Sequence, residues 1–372
     1  MAVFTFLEYG QDFRGYYAAA QVLLAGGNPY DYNQVTPVLL EVTGRAGNNP
    51  FYYPLWFGWF LTPLSLLPFQ VARAVWMFIN WGFWLVGLLR LGQLLDFPRP
   101  GLRRWLLYLL ATFLFAWTTW KFEQTGIVLF VITVEVLIAY QKQQWNWLGV
   151  LLALALIKPN VMLIPVAALG AWLLRNRNGG PVLVALIALA VFVIVTTALT
   201  PDWIQPLFRP GFGQGLTEVL DGPSQVTGTR LNTTLLDWLK WFSVPVNIRY
   251  AIYAIAVLAG VCILGLSIWK SKSILEVTLI SLLVSYAITP YALQYDYPPL
   301  VIVLIWALAA ASSLKGKTIP LVIVAFIASV LIWERPISDG YWIVIGLAAL
   351  TSWVMRSARD TPMPRRSLHP VR

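Results

Sequence analysis

The sequence predicts an all-α polytopic membrane protein, and three observations carry that prediction. Hydrophobic side chains make up 59% of the 372 residues and charged ones only 11%. Apolar runs close to the length of a bilayer-spanning helix recur along the chain. The basic residues gather in the short segments between those runs, which is the topogenic pattern of a membrane protein. A net charge of +10 would suggest nucleic acid in a water-soluble chain; distributed this way it does not, and no nucleic-acid partner is expected. Cys262 is the single cysteine and lies inside an apolar run, so no intrachain disulfide forms. The start, MAVFTFLEYG, lacks the basic segment and long apolar core of a cleavable signal peptide.

Taken in order, residues 1–70 read as an external first loop carrying interfacial helices, because the apolar piece at 54–67 is short and interrupted by Pro63. Membrane helices follow over 71–200, an external loop over 201–247, membrane helices again over 248–355, and a basic tail over 356–372 on the cytoplasmic side. The expected helices fall near 71–91, 105–120, 125–140, 147–157, 160–174, 181–200, 248–269, 275–290, 298–313, 318–333 and 340–355, about 11 in all. Arg90, Arg99, Arg103, Arg104, Lys142, Arg175, Arg177, Lys270, Lys272, Lys315, Lys317 and the tail arginines then share one side of the membrane. That assignment leaves the first loop outside.

The run from Trp147 to Leu174 is divided by Lys158, Pro159 and Asn160. At about 1.5 Å per residue its first piece covers only about 16 Å of a core about 30 Å thick. One long kinked span would invert every later loop, so a short helical hairpin with its apex at Lys158 is expected. Irregular backbone at that depth needs a wet or protein-lined cavity. No period of 20 to 50 residues repeats, and no matched pair of broken helices suggests an inverted-repeat carrier.

The chemistry available is narrow. His369 is the only histidine, and there is no cysteine pair, HExxH or Walker glycine loop, so no metal site or other cofactor is expected. What remains is Asp12 among aromatics, a few cations, and many Trp and Tyr. An acid at a membrane surface can serve as general base toward a hydroxyl, with aromatic faces for a sugar and Lys or Arg for a phosphate. The plainer readings are a solvated acid, a lysine that kinks a helix, and aromatics that mark the interface.

Several motifs in order resemble one family. Asp-Phe-x-x-Tyr-Tyr at Asp12–Tyr17, LLAGGNPYD at Leu23–Asp31, FYYPLWFGWFLTPLSLLP at Phe51–Pro68 and WLGVLLALALIKPNVMLIP at Trp147–Pro165 together resemble the bacterial polyprenyl-phosphate-mannose-dependent mannosyltransferases, integral-membrane glycosyltransferases of the GT-C class. The resemblance implies a GT-C-like bundle that takes a hexose, mannose first, from a polyprenyl-phosphate-linked sugar donor. The acceptor is a lipid or glycan at the outer face of the cytoplasmic membrane, with inversion at the anomeric carbon. It implies Asp12 as the base, Lys158 and Arg230 at the donor phosphate, and Tyr16, Gln124 and Asn232 at substrate; Tyr53 by its location, and Tyr295 and Asp296, are further candidates for substrate contact. Read from the residues alone, Asn232 is equally a helix cap ahead of Leu235 and Leu236.

The chain departs from the family's pattern at two places. Glu123 adds a charge beside Gln124, and ITPYALQYDYPPL stands where relatives carry histidines, so either Tyr295 and Asp296 substitute for them or the substrate differs. The family also begins with a membrane helix ahead of the first loop; an upstream start is expected, with Ala2–Leu7 the end of that helix. The rival from another class is a transporter or flippase of lipid-linked sugars. It is disfavoured because Asp12, Glu218, Asp221 and Asp296 fall in or beside outer loops instead of at mid-membrane. A lipid-linked oligosaccharide polymerase is a third, weaker reading.

Overall fold

The computed structural model describes residues 12–44, 51–95, 102–208, 234–312 and 340–360. These form fourteen α-helices and no strand: α1 Asp12–Leu24, α2 Tyr32–Thr43, α3 Leu55–Ser65, α4 Phe69–Leu94, α5 Leu102–Phe122, α6 Gly126–Gln141, α7 Trp145–Ala155, α8 Pro159–Arg175, α9 Gly180–Leu199, α10 Leu235–Trp241, α11 Val246–Lys270, α12 Ile274–Ile288, α13 Val301–Ser312 and α14 Gly340–Asp360. The architecture is the expected all-α membrane fold. The candidate helix at 318–333 lies outside the described residues.

By length and composition α4, α9 and α11 are the described helices able to cross a bilayer unaided. Both α9 and α11 carry rows of exposed aliphatic side chains, with Ile194 66% and Ile255 67% exposed. Surfaces of that size are untenable in water and ordinary against lipid. The remaining apolar helices keep the expected limits to within a few residues; α13 is the one clearly shorter than the sequence pattern suggested, because the Pro298–Leu300 turn delays its start to Val301. α6, α12 and α13 are packed within the bundle, and their buried positions run all the way round the helix.

Two helices precede α3, in a segment where the sequence reading expected interfacial helices but gave bounds only to the piece at 54–67. α1 buries Phe13, Tyr16, Tyr17 and Leu23. Phe13 stacks between Phe69 at 6.1 Å and Trp76 at 6.0 Å between ring centroids. α2 is capped by Asp31, whose carboxylate accepts from the Asn33 amide at 3.1 Å. It ends at Gly44, whose φ of 66° suits a residue without Cβ. The Tyr17 hydroxyl donates to the Leu67 carbonyl at 2.7 Å, and Asn28 donates to the Asp202 carbonyl at 2.9 Å. The second contact ties the link between α1 and α2 to the turn that follows α9.

α7 and α8 form the hairpin expected from the Lys-Pro-Asn break. Tyr140 meets both Trp145, at the start of α7, and Trp172, near the end of α8, at 5.7 and 5.6 Å. Gly149 lies against Pro181 and Val184, and Gly170 against Val182. The beginning of α7 and the end of α8 therefore sit at one level beside the start of α9, which requires antiparallel helices with residues 156–158 at the far end. Arg90, taken from the sequence as a loop cation, lies within α4 and pairs through two guanidinium nitrogens with Glu135 of α6. Two charges on packed helices are held together there more favourably than apart.

Candidate active site

Construction starts where α5 ends. Glu123 takes a left-handed conformation, φ 57°, which a residue with a Cβ adopts at a cost of about 1–2 kcal/mol. Three contacts hold it there. The Trp76 indole donates to the Glu123 carbonyl at 2.8 Å, Arg73 pairs with its carboxylate at 2.5 Å, and the Gln124 amide returns to the Thr119 carbonyl at 3.0 Å. The charge that looked out of place in the sequence thus pins the turn that projects Gln124. Burial first, opposed by Arg73, raises the Glu123 pKa above the usual carboxylate value.

Gln124 is the centre of the constellation. Its amide nitrogen donates to Asp12 Oδ2 at 2.5 Å. Its carbonyl oxygen accepts from Tyr16 at 2.7 Å, Tyr53 at 2.6 Å and Lys158 at 3.2 Å. The two tyrosine hydroxyls are also 2.6 Å apart. With donors on its oxygen and the carboxylate on its nitrogen, the amide has only one favourable orientation. On α1, burial, followed by Tyr53 and Asp12, holds the Tyr16 hydroxyl well above its ordinary pKa. Tyr16 therefore stays a protonated donor.

Lys158, at the hairpin apex, is 7% exposed and pairs with Asp296, which is 0% exposed. Its ammonium also lies over the rings of Tyr295 at 4.7 Å and Tyr53 at 5.4 Å. Asp296 is fixed in turn by the Leu293 amide at 2.9 Å, and the Tyr286 hydroxyl donates to its carbonyl. The apex is anchored to the end of α12: Asn160 donates to the Tyr291 carbonyl at 2.9 Å, Thr289 to the Asn160 carbonyl at 2.7 Å and Ser285 to the Val161 carbonyl at 2.7 Å.

Gly126 is the point of closest approach. A Cβ built there would stand 2.1 Å from the Tyr295 carbonyl and 2.9 Å from the Pro298 ring. Gly126→Ala is expected to push the 294–300 turn off the start of α6 and carry Asp296 away from Lys158. The overpacking costs about 1–3 kcal/mol or more. Its signature would be a lowered unfolding midpoint in detergent; a wild-type midpoint would contradict the close packing of this turn.

Seven of the nine residues singled out from the sequence, Asp12, Tyr16, Tyr53, Gln124, Lys158, Tyr295 and Asp296, therefore meet at one place. Arg230 and Asn232 lie outside the described residues. The helix cap assigned as one reading of Asn232 belongs to Thr234, whose hydroxyl accepts from the Asp237 amide at 3.2 Å. Asp12 is on the first turn of a helix, not in a loop. Asp296 is an internal ion-pair partner of Lys158. Arg73, Trp76 and Asn160 support the site, and the sequence carries no signal for them beyond polar residues near helix ends.

A comparison with sequence models of protein families finds a match to glycosyltransferase family 87 over residues 51–290, well over half of the chain. The protein belongs to glycosyltransferase family 87. No curated protein and no solved structure matches the chain in two further comparisons. The family 87 match includes Tyr53, Gln124 and Lys158, while Asp12, Tyr16, Tyr295 and Asp296 lie beyond it. The fold is what brings the two sets together. Membership makes the protein a membrane transferase acting on a sugar donor and an acceptor, and lends the carrier reading no support.

Proposed function

We propose that this family 87 enzyme transfers a hexose, with mannose the leading one, from a polyprenyl-phosphate sugar to a hydroxyl of a lipid or glycan. The site would face outward from the cytoplasmic membrane, with the basic tail on the cytoplasmic side. In this reading the acceptor O–H proton passes to Asp12, the oxygen bonds to the anomeric carbon, and the bond from that carbon to the phosphate oxygen breaks. Polyprenyl phosphate leaves, and configuration inverts.

The observation that supports this most is the place where Asp12 is held. It is half-buried, and its carboxylate accepts from the amide nitrogen of Gln124, whose oxygen gathers Tyr16, Tyr53 and Lys158 around the same point. A general base needs a carboxylate whose proton-accepting form survives in place. Lys158 would supply positive potential next to the departing phosphate. Arg230 and Asn232 are retained as contacts to phosphate and acceptor.

The test is transfer from a panel of radiolabelled polyprenyl-phosphate sugars to membrane lipid extracts by purified protein. Labelled lipid or glycan product from one donor, mannose first, is the expected outcome. Donor binding without transfer from any member of the panel would overturn the donor assignment.

A further inference from the structure

The described cations near the site are largely engaged: Lys158 with Asp296 and Arg73 with Glu123. Arg249 is different. It lies in the first turn of α11, is 9% exposed, and its buried Nε has no hydrogen-bond partner. Among the described residues it makes no ion pair, and its guanidinium stands 5.6 Å from the ring of Tyr250. A buried, permanently charged group without an anion is costly, and an anion that reaches it relieves that cost.

Two surrounding features point to the nature of that anion. Pro245 precedes α11 and makes no side-chain capping hydrogen bond, so the amides ahead of Arg249 at the positive end of the helix lack a side-chain cap. Guanidinium and helix amides together match a phosphate ester. Alongside, Ile248, Ile252 and Ile255 form an exposed stripe at helical spacing, a surface for an alkyl or isoprenyl chain. The place also fits. Tyr253, one turn further along the same helix, donates to the Ile288 carbonyl at 2.6 Å. Ile288 ends α12, and the next residue, Thr289, holds Asn160 beside the hairpin apex. Arg249 is thus at the end of the bundle that carries the candidate active site.

We propose that Arg249 and the open first turn of α11 form a subsite for a phosphate ester carried on a lipid, with the lipid chain along the Ile248, Ile252 and Ile255 stripe. A polyprenyl phosphate and an anionic bilayer phospholipid share this chemistry. The subsite does not depend on which of them fills it.

The experiment uses the full chain in nanodiscs of zwitterionic lipid, with a short-chain prenyl monophosphate, phosphatidylglycerol and inorganic phosphate as separate probes. Arg249→Gln is expected to weaken binding of a lipid phosphate about tenfold, the worth of a hydrogen-bonded charge. Arg249→Lys recovers part of the loss, and inorganic phosphate competes poorly. A loss confined to the prenyl phosphate identifies the carrier lipid; one confined to phosphatidylglycerol identifies the bilayer. Should Arg249→Gln not fold, Arg249→Lys carries the test, with a several-fold loss expected from the missing two-pronged contact. Unchanged affinity for both lipids, or a wild type that binds neither, overturns the subsite. Wild type that binds phosphatidylglycerol through Arg249 but no prenyl phosphate keeps the subsite and removes the donor assignment. Prenyl-phosphate binding indifferent to Arg249→Gln, with phosphatidylglycerol equally indifferent, does the reverse.

Discussion

Replacing Asp12 by Asn is expected to lower the rate of sugar transfer by about 10²- to 10⁴-fold, the usual contribution of a positioned general base, while the protein remains folded. The geometry supports both halves of that expectation. Gln124 cannot turn its amide over, because its oxygen serves Tyr16, Tyr53 and Lys158. An Asn at position 12 can still accept the Gln124 amide proton through its own carbonyl, so the packing around α1 persists. It cannot take a proton from an acceptor hydroxyl. Asp12→Glu keeps the acid and moves it by about one methylene; a shift of that size costs about 10²-fold where alignment matters. Transfer assays on the three proteins, run beside unfolding midpoints, check this. Asp12→Asn working within a few-fold of wild type, on folded protein, would remove Asp12 from the role of base.

The second large effect belongs to the Lys158–Asp296 pair. Lys158→Ala leaves the fully buried Asp296 carboxylate without its cation, and breaking a buried pair from one side typically costs about 3–5 kcal/mol. A steep fall in unfolding midpoint and in yield of folded protein is the expected result. Removing both charges together, as Lys158→Met with Asp296→Leu, is expected to recover most of that stability, since an apolar pair of similar volume avoids both desolvation penalties. Transfer should stay lost in the double variant, because the cation beside Gln124 is gone. The comparison separates a structural pair from one that also serves the reaction. Recovery of transfer along with stability would show that the charges serve folding alone.

Much of this protein was legible in its sequence. Segment lengths follow from local pattern: a run of apolar residues closed by Pro, Gly or charge has nowhere to continue, so expected and observed helix limits differ by only a few residues, as at 71–91 against Phe69–Leu94 and 181–200 against Gly180–Leu199. The hairpin at Lys158 was readable because the Lys-Pro-Asn break divides the apolar run into pieces too short to span alone, and charge placement then favoured a hairpin over one kinked span. The acid at position 12, the glutamine at 124 and the lysine at 158 could be singled out as sparse polar residues beside apolar segments.

Their relations to one another could not be read in that way. Asp12 and Gln124 are separated by 112 residues, and nothing local to either states that one amide holds the other's carboxylate. Glu123 looked like a stray charge until Arg73 and Trp76 were seen to secure its left-handed turn. Asp296 could be singled out as a candidate, but nothing near it in the sequence states that it is buried against Lys158. Arg90 counted as a loop cation until α4 and α6 packed and gave it Glu135. The sequence by itself determined which segments are apolar helices and where they break, because hydrophobic pattern and backbone hydrogen bonding act over neighbouring residues. Only the tertiary structure decided which charge answers which, because that depends on the helix ends that come to the same level in the bundle, and a buried charge is tolerable only where such a partner waits.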